Sequence, residues 1–112
     1  MDRDPRPKYA GRLTLAGIDA AMAAIIERSN RSTVILLQTL LDVVRHQGDS
    51  PANISERLTG DRDNTSVQQQ LAKLTGYGWI ELVETQYQHG EYPRKLAFMT
   101  QKGASLLKLI PE

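Results

Sequence analysis

Thr65-Ser-Val-Gln-Gln-Gln-Leu-Ala-Lys-Leu-Thr-Gly-Tyr-Gly-Trp-Ile-Glu81 changes periodicity partway along its length. Val67, Leu71 and Leu74 recur at spacings of four and three, which is the pattern of a helix with one apolar face. Asn64, Thr65 or Ser66 can cap its start, and Gly76 or Gly78 ends it. From Trp79 the residues become β-branched and aromatic, so Trp79-Ile-Glu-Leu-Val-Glu-Thr-Gln-Tyr87 predicts a strand. A turn at Gln88-His-Gly-Glu91 and a returning strand Leu96-Ala-Phe-Met99 complete a β-hairpin. A helix that runs directly into a hairpin is therefore expected.

Upstream, Ile18, Ala21, Met22, Ile25 and Ile26 fall on one helical face and predict a first helix from about Ile18 to Arg28. Ser32 is a natural N-cap for a second helix reaching about His46. Val34, Leu37, Leu41 and Val44 line one side of it, and Ile35 and Leu40 widen the stripe, as in a central, largely buried helix. Gly48 suits its C-terminal end. Ser50-Pro51 restarts a short third helix carrying Ile54 and Leu58, because proline in a first turn gives up only an N–H that would be unpaired anyway. The polar turn Gly60-Asp-Arg-Asp-Asn64 separates it from the helix before the hairpin. Downstream, Thr100 caps a last helix with Leu106, Leu107 and Ile110.

Five helices and one hairpin give a mainly α chain of the α+β class. Helix, short helix, turn, helix and hairpin, in that order, is the winged helix-turn-helix arrangement, in which the helix before the hairpin is offered to the DNA major groove. Residues 1–12 hold two prolines and six charges, with Arg3, Arg6, Lys8 and Arg12 against Asp2 and Asp4, and read as a flexible basic arm. Residues 13–112 read as one domain.

Composition limits what such a domain does. At 112 residues, 40% apolar and 24% charged, the chain is expected to be soluble and globular, and small enough for two copies to share their apolar faces. The formal charge of +1 means that any basic surface comes from placement rather than excess. The absence of cysteine removes disulfides, thiol nucleophiles, iron-sulfur clusters and Cys-containing zinc sites. No apolar run approaches the roughly 20 residues of a membrane span, and the first residues lack the apolar segment of a secretory signal, so a cytoplasmic location without a membrane partner is expected. His46 and His89 have no His or Cys at metal-ligand spacing, and neither a Gly-rich phosphate loop nor a G-x-S-x-G elbow is present. The chain is accordingly read as a non-enzyme, with no catalytic residue, metal or cofactor.

The stretch 65–81 resembles the recognition helix and strand start of MarR-type transcription regulators. Phe98-Met-Thr-Gln-Lys-Gly103, followed by a leucine-rich helix, is similar to that family's segment after the wing. The resemblance covers about residues 32–110, and its most specific pieces are Leu74-x-x-x-Gly78-Trp-Ile80 and Thr100-x-Lys-Gly103. It implies a homodimer whose first and last helices interlock, through Ile18, Met22, Ile25 and Ile26 and through Leu106, Leu107 and Ile110. It also implies two recognition helices in successive major grooves. Met22, Ile25 and Ile26 could instead line a sensor's ligand pocket, but no signature of a particular small-molecule effector is present. The chain departs from the family in being shorter and in its wing, where Tyr87-Gln-His-Gly-Glu-Tyr-Pro-Arg-Lys95 replaces the usual acidic and double-arginine pattern. Small plasmid or phage repressors and partition proteins are similar to it as well.

With Val67, Leu71 and Leu74 inward, a step of about 100° per residue puts Gln69 opposite them, flanked by Thr65, Ser66 and Lys73, with Gln68 and Gln70 at the edges. Glutamine pairs bidentately with adenine, serine and threonine reach bases or phosphates, and lysine meets guanine or a phosphate. An ordinary solvated helix face has the same composition. In the hairpin, Arg94 and Lys95 beside His89 suit a phosphate or a narrow minor groove, although solvation explains them too. Arg57, Arg62 and the N-terminal basic residues are candidates for backbone phosphates. Tyr77 and Trp79 are expected to pack rather than stack on bases. The function expected from these residues is sequence-specific binding of double-stranded DNA by a dimeric transcriptional repressor or regulator. The alternatives are a plasmid or phage partition or replication-type DNA binder and a winged helix that docks a protein.

Overall fold

The computed structural model describes residues 7–28, 33–85 and 95–111. Five helices and a two-stranded antiparallel sheet follow in the order α1 (Leu15–Arg28), α2 (Thr33–Arg45), α3 (Pro51–Thr59), α4 (Thr65–Gly76), β1 (Ile80–Glu84), β2 (Lys95–Met99) and α5 (Gln101–Leu106). The α+β class and five helices are observed, but the last helix, expected to carry Leu106, Leu107 and Ile110, ends at Leu106, because Leu107 caps it and Ile110 pairs instead with Arg12.

Side chains fix most of the helix starts. Thr14 accepts the Gly17 N–H at 3.0 Å, so α1 begins three residues before the expected Ile18. Ser50 accepts the Asn53 N–H at 3.2 Å with Pro51 in the first turn. Of the three candidates for α4, Asn64 is the cap, accepting the Val67 N–H at 3.1 Å. Thr100 accepts the Gly103 N–H at 3.1 Å and also donates to the Gly78 carbonyl at 2.5 Å, which joins the start of α5 to the end of the α4 turn. Ser32, the expected cap of the second helix, lies outside the described residues.

The strands pair from Ile80 opposite Met99 to Glu84 opposite Lys95. The first starts one residue later and the second one residue earlier than expected. Tyr87 and the turn after it lie outside the described residues. A third piece of extended chain joins this sheet, since Gly48 N–H donates to Ala97 O at 2.8 Å and Ala97 N–H to Asp49 O at 2.9 Å.

Helix α2 runs through the core, with Leu36, Leu40 and Val43 fully buried. Ala21 and Ile25 pack on it from α1, Ile54 from α3, and Val67, Leu71 and Leu74 from α4. Val34, expected on its inner stripe, is 68% exposed, because the helix is rotated to turn Leu36 and Val43 inward instead. Trp79 is buried and its ring lies 4.9 Å from that of Tyr77, as expected of packing residues. The Arg28 guanidinium lies 5.2 Å from the Trp79 ring and 5.5 Å from the Tyr77 ring, so a cation–π contact ties the end of α1 to the start of the sheet.

Two glycines permit close approach. A Cβ on Gly17 would stand 1.7 Å from the Leu107 carbonyl oxygen, and one on Gly103 would stand 2.0 Å from that of Trp79. The chain before α1 is tied down at its inner end, where Arg12 and Ile110 exchange backbone hydrogen bonds at 2.8 and 3.1 Å. Gln47 then bridges Tyr9 O and Met99 N–H. The arm expected over residues 1–12 is thus attached to the body from Tyr9 to Arg12, and its first six residues, Arg3 and Arg6 among them, lie outside the described residues.

Candidate nucleic-acid interface

The turn between α3 and α4 sets how α4 is presented, and Ser55 locks it. This side chain is fully buried, donates to the Asp61 carbonyl at 2.5 Å and accepts the Asn64 N–H at 3.2 Å. Thr59 donates to Ser55 O and accepts the Asp61 N–H, and Asp61 in turn accepts the Asp63 N–H. A turn whose polar groups are satisfied internally holds the two helices at one angle.

On α4, Thr65, Ser66, Gln68, Gln69 and Lys73 are all exposed, together with Ala72, Thr75 and Gly76. Thr65, Gln69, Ala72 and Gly76 follow one another at i, i+4, i+7 and i+11 and form the middle of this face, with Ser66 and Lys73 on one side and Gln68 and Thr75 on the other. The face carries hydrogen-bonding amides and hydroxyls, one cation and no anion.

Gln70 does not belong to it. The residue is 3% exposed and its Oε1 has no hydrogen-bond partner. Gln70 lies three residues after Val67 and four before Leu74, on the shoulder of the apolar face, and α4 packs so broadly on α2, α3 and β1 that the shoulder is covered.

Arg57, read from sequence as a phosphate contact, is committed elsewhere. Its guanidinium spans Asp42 (Nη2 to Oδ2, 2.9 Å; Nε to Oδ1, 3.1 Å) and Asp49 (Nη1 to Oδ2, 2.5 Å). The Asp42 hydrogen bonds above all raise the Arg57 pKa further, against the opposing effect of burial. Burial on its own would raise the Asp49 pKa, but hydrogen bonds from Arg57, Asn53 and the Ser50 N–H outweigh it and hold the carboxyl below the ordinary value of 3.8. Arg62 stays at the surface, 54% exposed, bonded to Glu56 at 2.5 Å and Asn53 at 2.9 Å. Solvent already competes with such a pair, so exchange with a phosphate is inexpensive. Lys95 is exposed and faces Glu84 across the strands. His89 and Arg94 lie outside the described residues.

The residues expected at a dimer interface divide. Met22, Ile26 and Ile110 are exposed, and Ile18 and Leu106 are half-buried. Ile25 and Leu107 are fully buried in the chain's own core and cannot reach a second copy. The apolar stripe of α1 is wide enough for two surfaces, and its Ala21–Ile25 flank faces inward. Sequence reading missed Leu15, 87% exposed, because the helix was expected to start after it, and placed Val34 inside.

The surface is hollowed at more than one place. Ala10, Gly11, Leu13, Val44, Arg45 and Pro111 line one hollow, and Pro51, Gln68, Leu71, Ala72 and Leu82 line another, beside the exposed face of α4. Neither is lined by Met22, Ile25 or Ile26, the residues considered for a sensor's ligand pocket. No helix among the described residues is long and apolar enough to cross a membrane. No family model, curated protein or solved structure matches the chain.

Proposed function

We propose that the chain is a winged helix-turn-helix protein that binds double-stranded DNA in a sequence-specific manner as a dimer and regulates transcription. In this reading α3 and α4 are the helix-turn-helix, α4 enters the major groove, and the segment between β1 and β2 is the wing. The observation that carries it is the exposed face of α4: a rigidly presented row of amides and hydroxyls with no acidic group, on a helix whose opposite side is anchored in the core.

Fluorescence anisotropy against duplexes from the protein's own upstream region, with random duplex as competitor and at two salt concentrations, tests the reading. Specific, salt-sensitive binding is expected. Gln69→Ala and Lys73→Ala are expected to weaken it by about 1–3 kcal/mol each without changing the unfolding midpoint, since both side chains are exposed. Absence of DNA affinity, there and with wider genomic fragments, would move the same face to a protein partner, a reading that the near-neutral charge of +1 favours.

A further inference from the structure

Resting on the DNA-binding reading, we infer that α4 selects A·T base pairs from the major groove, over a half-site core of about three base pairs. From Thr65 to Ala72 the central row of the exposed face rises about 10 Å, at about 1.5 Å per residue, which matches about three base-pair steps of about 3.4 Å.

The groups on that row define its chemistry. Gln69 in the centre and Gln68 beside it each offer a carboxamide, which pairs bidentately with adenine N6 and N7. The methyl groups of Ala72 and Thr65 suit the thymine C5-methyl. On the Gln68 side the face passes into the apolar hollow lined by Pro51, Leu71 and Leu82, which extends the surface available to methyl groups.

On α4, what would read G·C is reduced to one side chain. Guanine is read by a guanidinium or an ammonium on O6 and N7, and cytosine by a carboxylate on N4; α4 carries no guanidinium and no carboxylate, and Lys73 is its one cation. Of the two guanidiniums that precede α4 in the helix-turn-helix, Arg57 is held by Asp42 and Asp49, and Arg62 lies at the surface in a pair with Glu56 and Asn53 that suits exchange with a backbone phosphate. Lys73 stands off the central row beside Ser66, as far to one side as Gln68 to the other, and is assigned to the sugar-phosphate backbone; loss of a single G·C preference in Lys73→Ala would return it to a guanine.

Selection of duplexes from a random pool with the full chain, followed by affinity measurements on the selected site, provides the test. The half-site core is expected to be A·T. Changing one of its pairs to G·C is expected to raise Kd about 5- to 150-fold, the equivalent of about 1–3 kcal/mol. Replacing core thymine by uracil, which removes the methyl group, and adenine by 7-deazaadenine, which removes N7, are each expected to weaken binding several-fold. Gln69→Ala should abolish discrimination at one position of the core and leave the others, whereas Lys73→Ala should weaken all sequences alike. A selected core of G·C pairs, or a core whose affinity is indifferent to uracil and 7-deazaadenine, would overturn the inference and leave the DNA reading standing. Failure to enrich any sequence, with binding no stronger than to random duplex, would remove both.

Discussion

Gln69 and Gln70 are the same residue type one step apart on one helix, yet one faces solvent and the other is 3% exposed with an unpaired Oε1. A buried acceptor without a donor forfeits its hydration and gains nothing in return, at about 1–3 kcal/mol. Gln70→Met keeps length and volume and removes that acceptor. It is therefore expected to raise stability by about 1 kcal/mol in urea unfolding while leaving DNA affinity unchanged. Destabilisation would mean that the carboxamide is bonded after all, and lost affinity would return Gln70 to the interface. Ser55 is the contrasting case, a buried polar side chain in which both donor and acceptor are used, so that it fastens the α3–α4 turn.

Among elements, the Arg57 clamp sets the relation of α3 to the end of α2. Asp42 is 8% exposed, and its charge is balanced by a guanidinium fifteen residues away. Truncation by Arg57→Ala would leave a buried carboxylate without its partner, and a loss of about 3 kcal/mol is expected in chemical unfolding. The clamp also makes stability depend on acid. The Asp49 pKa is lower in the folded chain than its ordinary 3.8, so the unfolded chain binds more protons at acid pH. Its contribution is therefore complete well above the ordinary 3.8 and is lost as the pH falls from there through the lowered folded value. Urea midpoints measured down this range should fall for the wild type and fall less for Arg57→Ala. Parallel titrations would show that Asp49 draws nothing from Arg57.

For the whole molecule, Leu15, Met22 and Ile26 of α1, Val34 of α2 and Ile110 near the C-terminus leave large apolar side chains in water. In the proposed dimer these residues are the apolar surface available to a second copy, and two linked half-sites bind far more tightly than either alone. Light scattering is expected to give a dimeric mass for the wild type and a monomeric mass for the double variant Met22→Asp/Ile26→Asp. Both side chains are exposed on the single chain, so the variant should stay folded, with a circular dichroism spectrum like that of the wild type, and should lose only the concentration-dependent part of its stability. Its affinity for a two-half-site operator should drop by about tenfold or more. A monomeric wild type would remove the dimer from the proposal.

The sequence by itself determined the order and approximate place of the helices and strands, because the signals are local. The β-branched and aromatic run from Trp79, the caps at Ser50 and Thr100 and the turn after α3 each depend on residues within one or two turns of themselves. The exposed positions 65, 66, 68, 69 and 73 of α4 were legible for the same reason, since Val67, Leu71 and Leu74 fix that helix's inner side. What only the tertiary structure decided is how far each helix is rolled and how widely it is covered. Ile25 went inside and Ile26 stayed out, Val34 turned outward, and Gln70 was buried on the shoulder of α4. Arg57 was claimed by Asp42, and Arg12 by Ile110 at the other end of the chain. A helical stripe wider than its own core leaves two orientations open, and only partners distant in sequence, packed without voids, select between them.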